Sequence, residues 1–440
     1  LVRLSGANKN ALLSEAAQAV YRDESQARAT TILSRLRDLN PELAQQFHPK
    51  RDAFSNLNLR MISFQPPKSR PYNDGVPSFI AVSYCWHSDQ WPLAPAATPI
   101  LVGWDISEPM MNAVLELRET ADEGVHVWLD KLCINQSDHA DITAHLGVMD
   151  TIYRSARRVA ILLEDVQLKK DEEAVGLAFV GFYQDLIQDV MDLGLEGEEK
   201  RHFVSQYFPR RSQELDAGTL AAVKPFVMKL LGARWYSRAW CAHESRMMKH
   251  QKVNNPLLLC FGSDGRVLSF EFRFIHYLGY YLQSTEPLDP LSSSQFQGRL
   301  NNPNPTSLRQ LWWRANRLLP DTNLDATTMQ HLVNVLSTNC FKKGDLMSIA
   351  LNTASIPLYY AGEDIQSVEE VIWKFSTLVL AAGDLSPLVA VGEKLRFTTN
   401  SGRDIISWAI KPDRGVLDNE VANPLPESIT AITREYIELD

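Results

Sequence analysis

The stretch Val127-Trp-Leu-Asp-Lys-Leu-Cys-Ile-Asn-Gln136 decides the fold. An apolar run stops abruptly at Asp130, and a Cys-Ile-Asn-Gln segment follows. A short apolar run bounded by polar residues reads as a buried strand. A carboxylate just past such a strand lies where open α/β sheets place their ligand crevice. Met149-Asp-Thr-Ile-Tyr-Arg-Ser-Ala156 comes next, then the apolar Val159-Ala-Ile-Leu-Leu163. Strand, loop, helix and strand in that order make a parallel βαβ unit. Upstream, Phe79–Tyr84 reads as another core strand, 100–102 as a short one, and 108–121 as a helix that tolerates Pro109 in its first turn. Phe79–Tyr84, Val125–Leu129 and Val159–Leu163 are therefore expected as neighbouring parallel strands.

Outward from this unit the pattern turns helical. Segments 10–21 and 27–39 carry apolar residues at helical spacing, with Pro41 as a stop for the second. Pro66, Pro67 and Pro71 punctuate a loop. Two amphipathic stretches, 174–187 and 217–231, follow the last clear core strand, and Pro225 is positioned to kink the second. Segments 306–319, 328–337 and 367–382 read as further helices. The expected organisation is a helical N-terminal region at 1–65, an α/β domain at 66–262 with a helical insertion at about 165–232, and a mainly helical C-terminal region at 263–440.

A chain of 440 residues is long for one domain, and 45% hydrophobic content supplies substantial cores. The net charge of −9 is modest, and the basic residues are dispersed, so no nucleic-acid footprint is present. No apolar run approaches the length of a spanning helix, and no signal-peptide pattern opens the sequence. Five cysteines do not form a disulfide framework, which points to a reducing, cytoplasmic setting. There is no Gly-rich dinucleotide fingerprint, phosphate loop, H-E-x-x-H or G-x-S-x-G elbow.

The Val127–Gln136 stretch, the Met149–Ala156 segment and the strand after it resemble the central block of the fungal heterokaryon-incompatibility (HET) domain, W-I-D-x-x-C-I-N-Q followed by M-x-x-I-Y-x-x-A. Phe79-Ile-Ala-Val-Ser-Tyr-Cys-Trp86 resembles the opening block, Y-x-A-L-S-Y-x-W, and Arg234-Trp-Tyr-Ser-Arg-Ala-Trp-Cys-Ala-His-Glu244 the third, W-F-x-R-x-W-x-x-Q-E. Together they span less than half of the chain. His87 and His243 stand where the pattern usually has Gly and Gln. HET blocks are in turn remotely similar to those of TIR domains, so the resemblance implies a parallel flavodoxin- or TIR-like sheet. It also implies a role in fungal immunity, meaning non-self recognition and programmed cell death.

In enzymatic TIR domains the Glu of W-C-x-x-E cleaves NAD, and by position that residue is Glu244. The alternative is a Glu at the start of a helix, complementing its dipole. A lone carboxylate suits this hydrolase chemistry. Nicotinamide leaves oxidised NAD as a neutral molecule, so no leaving-group acid is needed, and a preorganised carboxylate can stabilise the oxocarbenium-like ribose. NAD is thus the candidate substrate, with no resident cofactor. Asp130 could hold ribose hydroxyls or cap the next turn, the commoner use. Asn135 and Gln136 could bind the ligand or satisfy the loop's own backbone. Ser83, Tyr84, Trp86 and Trp240 complete the expected substrate-binding set; the bland reading of a lone Trp such as Trp86 is core closure.

Two Cys-x-His pairs, Cys85/His87 and Cys241/His243, raise a metal-dependent alternative. Residues two apart diverge on a helix, however, so joint chelation is awkward and no metal is expected. Cys133 lacks a motif-linked base and reads as a buried, inert thiol. A non-enzymatic module working by self-association or through a signalling partner is the other alternative.

Overall fold

The computed structural model describes residues 1–3, 9, 22–64, 78–86, 95, 98–117, 125–247, 256–272, 274–275, 278, 328–336, 338, 340, 342–388, 392–398, 402, 404–412, 429–432 and 437–439. The helices expected at 10–21 and 306–319, the prolines at 66–71, and His87 lie outside them.

Seven strands make the central sheet: β1 (Val2–Arg3), β2 (Arg60–Phe64), β3 (Phe79–Ser83), β4 (Val125–Trp128), β5 (Arg158–Gln167), β6 (Leu257–Phe261) and β7 (Val267–Glu271). Their order across the sheet is β1-β2-β4-β3-β5-β6-β7. β3 pairs in parallel with β4 on one side and β5 on the other, and β5 pairs in parallel with β6. The three stretches expected as parallel neighbours are parallel neighbours. Their residues are buried nearly throughout, as strands covered on both faces must be. Antiparallel strands close both sides, β1 and β2 at one and β7 at the other.

β2 lies in a stretch expected to be helical. Its Met61 and Ile62 are both buried and it pairs with β4, a non-local contact that local periodicity cannot report. β7 likewise falls in a region expected to be mainly helical, and the hairpin of Gly392–Thr398 with Asp404–Pro412 is a further departure from it.

The helices used below are α1 (Asp23–Leu39), α2 (Lys50–Asn56), α3 (Glu108–Glu116), α4 (His139–Ser155), α5 (Lys170–Asp192), α6 (Gly197–Arg211), α7 (Ala217–Leu231), α8 (Ala239–Met247), α9 (Thr328–Leu336), α10 (Lys343–Thr353) and α11 (Val368–Ala381). α3 joins β3 to β4, and α4 joins β4 to β5. These crossovers run in opposite directions along the sheet, so the right-handed rule puts α3 and α4 on opposite faces. The connections leaving the neighbours β3 and β5 run toward opposite edges of the sheet, so a crevice opens at their carboxyl ends. α5, α6 and α7 form the insertion after β5, and α7 runs through Pro225 unbroken.

Hydrophobic side chains gather into two cores. One surrounds the sheet. The other combines α1 with α9, α10 and α11, so segments from both ends of the sequence share it. α8 lies between them: Ala239 belongs to the second core, Cys241 to the first, and Trp240 packs on both. Gly147 of α4 packs closely against Tyr359. A Cβ there would sit 2.9 Å from the Tyr359 Cβ. Gly147→Ala is expected to destabilise the protein by about 1–3 kcal/mol, because the obstructing atom is anchored directly to backbone. Urea denaturation checks this; an unchanged midpoint refutes the close fit.

Candidate functional site

Three segments converge at the carboxyl ends of β3 and β4. Ser83 ends β3, Asp130 follows β4, and Glu244 stands on α8. The Ser83 hydroxyl donates a hydrogen bond to Glu244 Oε2. The Trp235 indole N–H donates to Ser83 Oγ at 2.7 Å. A hydroxyl has one proton. Since Ser83 Oγ accepts from Trp235, its own proton is free to go to Glu244, and the carboxylate is held by a directed relay. The Tyr153 hydroxyl of α4 also hydrogen-bonds Glu244 and lies 3.4 Å from the Val82 carbonyl oxygen.

Glu244 is only 7% exposed. Burial pushes its pKa up to about 7, and the charge of Asp130 adds to this, while Ser83, Arg238 and Tyr153 pull the other way. Asp130 is half-buried and also raised, by burial first, against the pull of Arg238, Trp86 and Lys131. Arg238 is half-buried, donates from Nη1 to the Tyr84 carbonyl at 2.7 Å, and faces both carboxylates. Two acidic groups and one guanidinium therefore share a water-poor corner, where charges interact more strongly than in solvent.

The Asp130 loop is held from outside. Arg60 of β2 pairs with Asp141 and donates from Nε to the Cys133 carbonyl at 2.9 Å. Asp141 accepts from the Asn135 backbone N–H at 2.7 Å. Asp138 caps α4, accepting from Ala140 N–H at 3.0 Å.

The expected residues divide into two groups. Ser83, Asp130, Trp86 and Glu244 gather at the corner, with the Trp86 indole N–H donating to Asp130 Oδ1 at 3.1 Å. Tyr84 is buried beside them, but its hydroxyl reaches away to the Trp104 carbonyl at 3.1 Å. Asn135 and Gln136 are exposed and serve the loop: Asn135 Oδ1 accepts from Ser137 N–H at 3.2 Å, and Gln136 Nε2 donates to the Asp130 carbonyl at 3.2 Å. Trp240 points to the seam between the cores, its N–H donating to Asp345 Oδ2 at 3.0 Å. Arg238, Tyr153 and Trp235 are additions. All three sit inside the motif blocks, yet a buried aromatic reads as core and an Arg as a solvated group.

Cys133 is buried, and burial pushes its thiol up to about 12, as suits an inert side chain. Cys85 and Cys241 meet, but the His243 ring packs edge-on against Tyr153 and Trp240. Among the described residues no group of three or more His, Cys, Asp or Glu side chains is placed to hold a metal ion.

The α/β fold and this convergence define the class: a sheet domain with one enclosed acidic corner at its switch point. Residues 79–244 match the family model described as Heterokaryon incompatibility protein (HET), starting at the first residue of β3 and ending on Glu244 itself. Heterokaryon incompatibility protein 6, OR allele, of Neurospora crassa is 24% identical over 186 residues, covering 37% of this chain and 26% of that protein. The match thus spans about a quarter of the relative's length. No solved structure matches the chain. Residues 79–244 are thus similar to a HET domain. No helix among the described residues is long and apolar enough to cross a membrane.

Proposed function

We propose that this protein acts in fungal non-self recognition and regulated cell death, and that its HET domain cleaves NAD at the nicotinamide–ribose bond. The shared HET description and the Neurospora relative's name support the first part. The order of the parallel strands, second-first-third-fourth, favours a flavodoxin- or TIR-like sheet. One observation carries the enzymatic part: Glu244 is an enclosed carboxylate, fixed by Ser83 at the sheet's switch point. The dinucleotide would enter past Trp86, Asp130 and Arg238, all only half-buried. Glu244 would then face the ribose carbon as positive charge develops there.

Catalysis by this route needs the ionised carboxylate. With the Glu244 pKa at about 7, nicotinamide release should fall about tenfold per unit of pH below that value and level off above it. Nicotinamide release from NAD across pH 5–9 tests this. A flat profile rules out Glu244 as the titrating group, and no release by any assembled form of the protein rules out the enzymatic reading.

The second reading is a self-associating signalling module. Leu177 and Met191 of α5 are 52% and 69% exposed, and Leu220 of the adjacent α7 is 44% exposed. Light scattering on wild type and a Leu177→Lys/Leu220→Lys variant discriminates. Loss of a higher-order species in the variant supports association through the insertion, and a monomer in both opposes it.

A further inference from the structure

Two contacts, side by side, join the end of β3 to one face of α8. The first is Ser83 with Glu244. The second is Cys85 with Cys241, whose side chains hydrogen-bond each other. The spacing makes the pairing intelligible. Residues two apart in extended chain return to the same side, and residues three apart on a helix share a face. The sulfur pair is therefore laid beside the carboxylate. Both cysteines are buried, and the Arg238 guanidinium hydrogen-bonds Cys85 and faces both sulfurs. The remaining cysteines are engaged elsewhere: Cys133 Sγ–H points to the Val127 carbonyl at 3.9 Å, Cys340 Sγ–H to the Lys342 carbonyl at 3.0 Å, and Cys260 lies within β6.

We propose that Cys85 and Cys241 form a reversible dithiol–disulfide couple, an oxidation site for low-molecular-weight disulfides, whose closure ties β3 to α8 beside Glu244.

The asymmetry of the pair gives the direction of reaction. Donation from Cys241 and the charge of Arg238 hold the Cys85 thiol below its ordinary range against burial, whereas burial raises Cys241. Cys85 is thus the thiol that ionises more readily, and Cys241 the one that holds its proton more tightly. Having lost its proton to solvent, Cys85 Sγ attacks one sulfur of the small disulfide. A Cys85 mixed disulfide forms and one thiolate leaves. Cys241 Sγ then attacks Cys85 Sγ, its proton passing to the second departing thiolate. Two protein thiols lose two electrons, and one small disulfide gains them to become two thiols. Transient disulfides of this kind are the form expected of oxidation in a reducing compartment. The chemistry does not depend on NAD cleavage, so its test stands apart from the proposed activity.

The test treats the whole native chain with glutathione disulfide, using circular dichroism to confirm that it stays folded. It then denatures the protein, alkylates the free thiols and maps the peptides by mass spectrometry. Of the five cysteines, two should become unavailable, joined as a single Cys85–Cys241 cross-link that dithiothreitol reverses. Cys85→Ser and Cys241→Ser should each abolish the cross-link, while Cys340→Ser should form it as wild type does. Should either Ser variant fail to fold, the wild-type peptide map decides by itself. Free Cys85 and Cys241 after treatment, or a cross-link joining either to another cysteine, overturns the proposal.

Discussion

Glu244→Gln is expected to reduce nicotinamide release from NAD by about a hundredfold or more, the usual loss when one preorganised electrostatic group is removed. Gln keeps the size of the side chain and still accepts from Ser83, so only the negative charge is lost. Binding of NAD should weaken far less, because the charge matters once the ribosyl cation develops. The same substitution should stabilise the fold at alkaline pH, and the sign follows from linkage. The native carboxyl has its pKa raised from 4.5 to about 7, so the folded state holds the proton more tightly than the unfolded chain. That contribution is complete below pH 4.5 and is lost as pH rises through about 7. Ionised Glu244 therefore costs the native state on the order of 3 kcal/mol at pH 8. Glu244→Gln should recover much of this at pH 8 and nothing at pH 4. Urea denaturation at both values measures it alongside the kinetics. A catalytic loss with a parallel fall in stability at pH 8 would mean that the carboxylate is a structural anchor instead.

How far the sequence reaches is visible in particular residues. β3, β4 and β5 were legible because each contains a short, mostly apolar run, and runs of that kind pair in parallel when helices separate them. Their direction then brings Ser83 and Asp130 to one corner, since both stand at strand ends, and Glu244 joins them from the second turn of α8. β2 and β7 were not legible. Arg60-Met-Ile-Ser-Phe64 has no clean alternation to mark it as a strand, although Pro66 and Pro67 follow it, and its partner β4 lies more than sixty residues away. The second core was hidden for a related reason. Periodicity shows that α1 and α11 each have an apolar face, but not that each covers the other. The inner geometry of the corner failed differently. Trp235 and Tyr153 look like packing residues, and they are; only the coordinates show that the indole N–H and the phenol also reach the Ser83–Glu244 pair.

Breaking the buried pair between Lys50 and Asp150 is the largest stability loss expected. Lys50 of α2 and Asp150 of α4 are each 2% exposed, with Nζ and Oδ2 3.0 Å apart. Burial lowers the lysine pKa, and Asp150 only partly offsets this. Burial alone would raise Asp150, yet Lys50, Arg154 and His243 together hold it below its ordinary value. The two truncations are therefore unequal. Lys50→Met leaves a buried carboxylate that Arg154 still faces. Asp150→Leu leaves a buried ammonium whose other charged neighbour, Arg154, repels it. Removing one member of a buried pair typically costs about 3–5 kcal/mol. Asp150→Leu should fall at the upper end of that range and Lys50→Met at the lower. Lys50→Met/Asp150→Leu should regain most of the loss, because an apolar pair of similar volume needs no desolvated charge. Urea midpoints for the four proteins decide it. A double variant as unstable as Asp150→Leu alone would show that the loss comes from packing between α2 and α4 and not from the unpaired charge. With wild type, the single variants also separate the pair from the acidic corner. Asp150 touches neither Ser83 nor Glu244 and faces the corner through His243, next to Glu244 on α8, so its loss should lower stability severalfold more, in free-energy terms, than it raises the barrier to nicotinamide release.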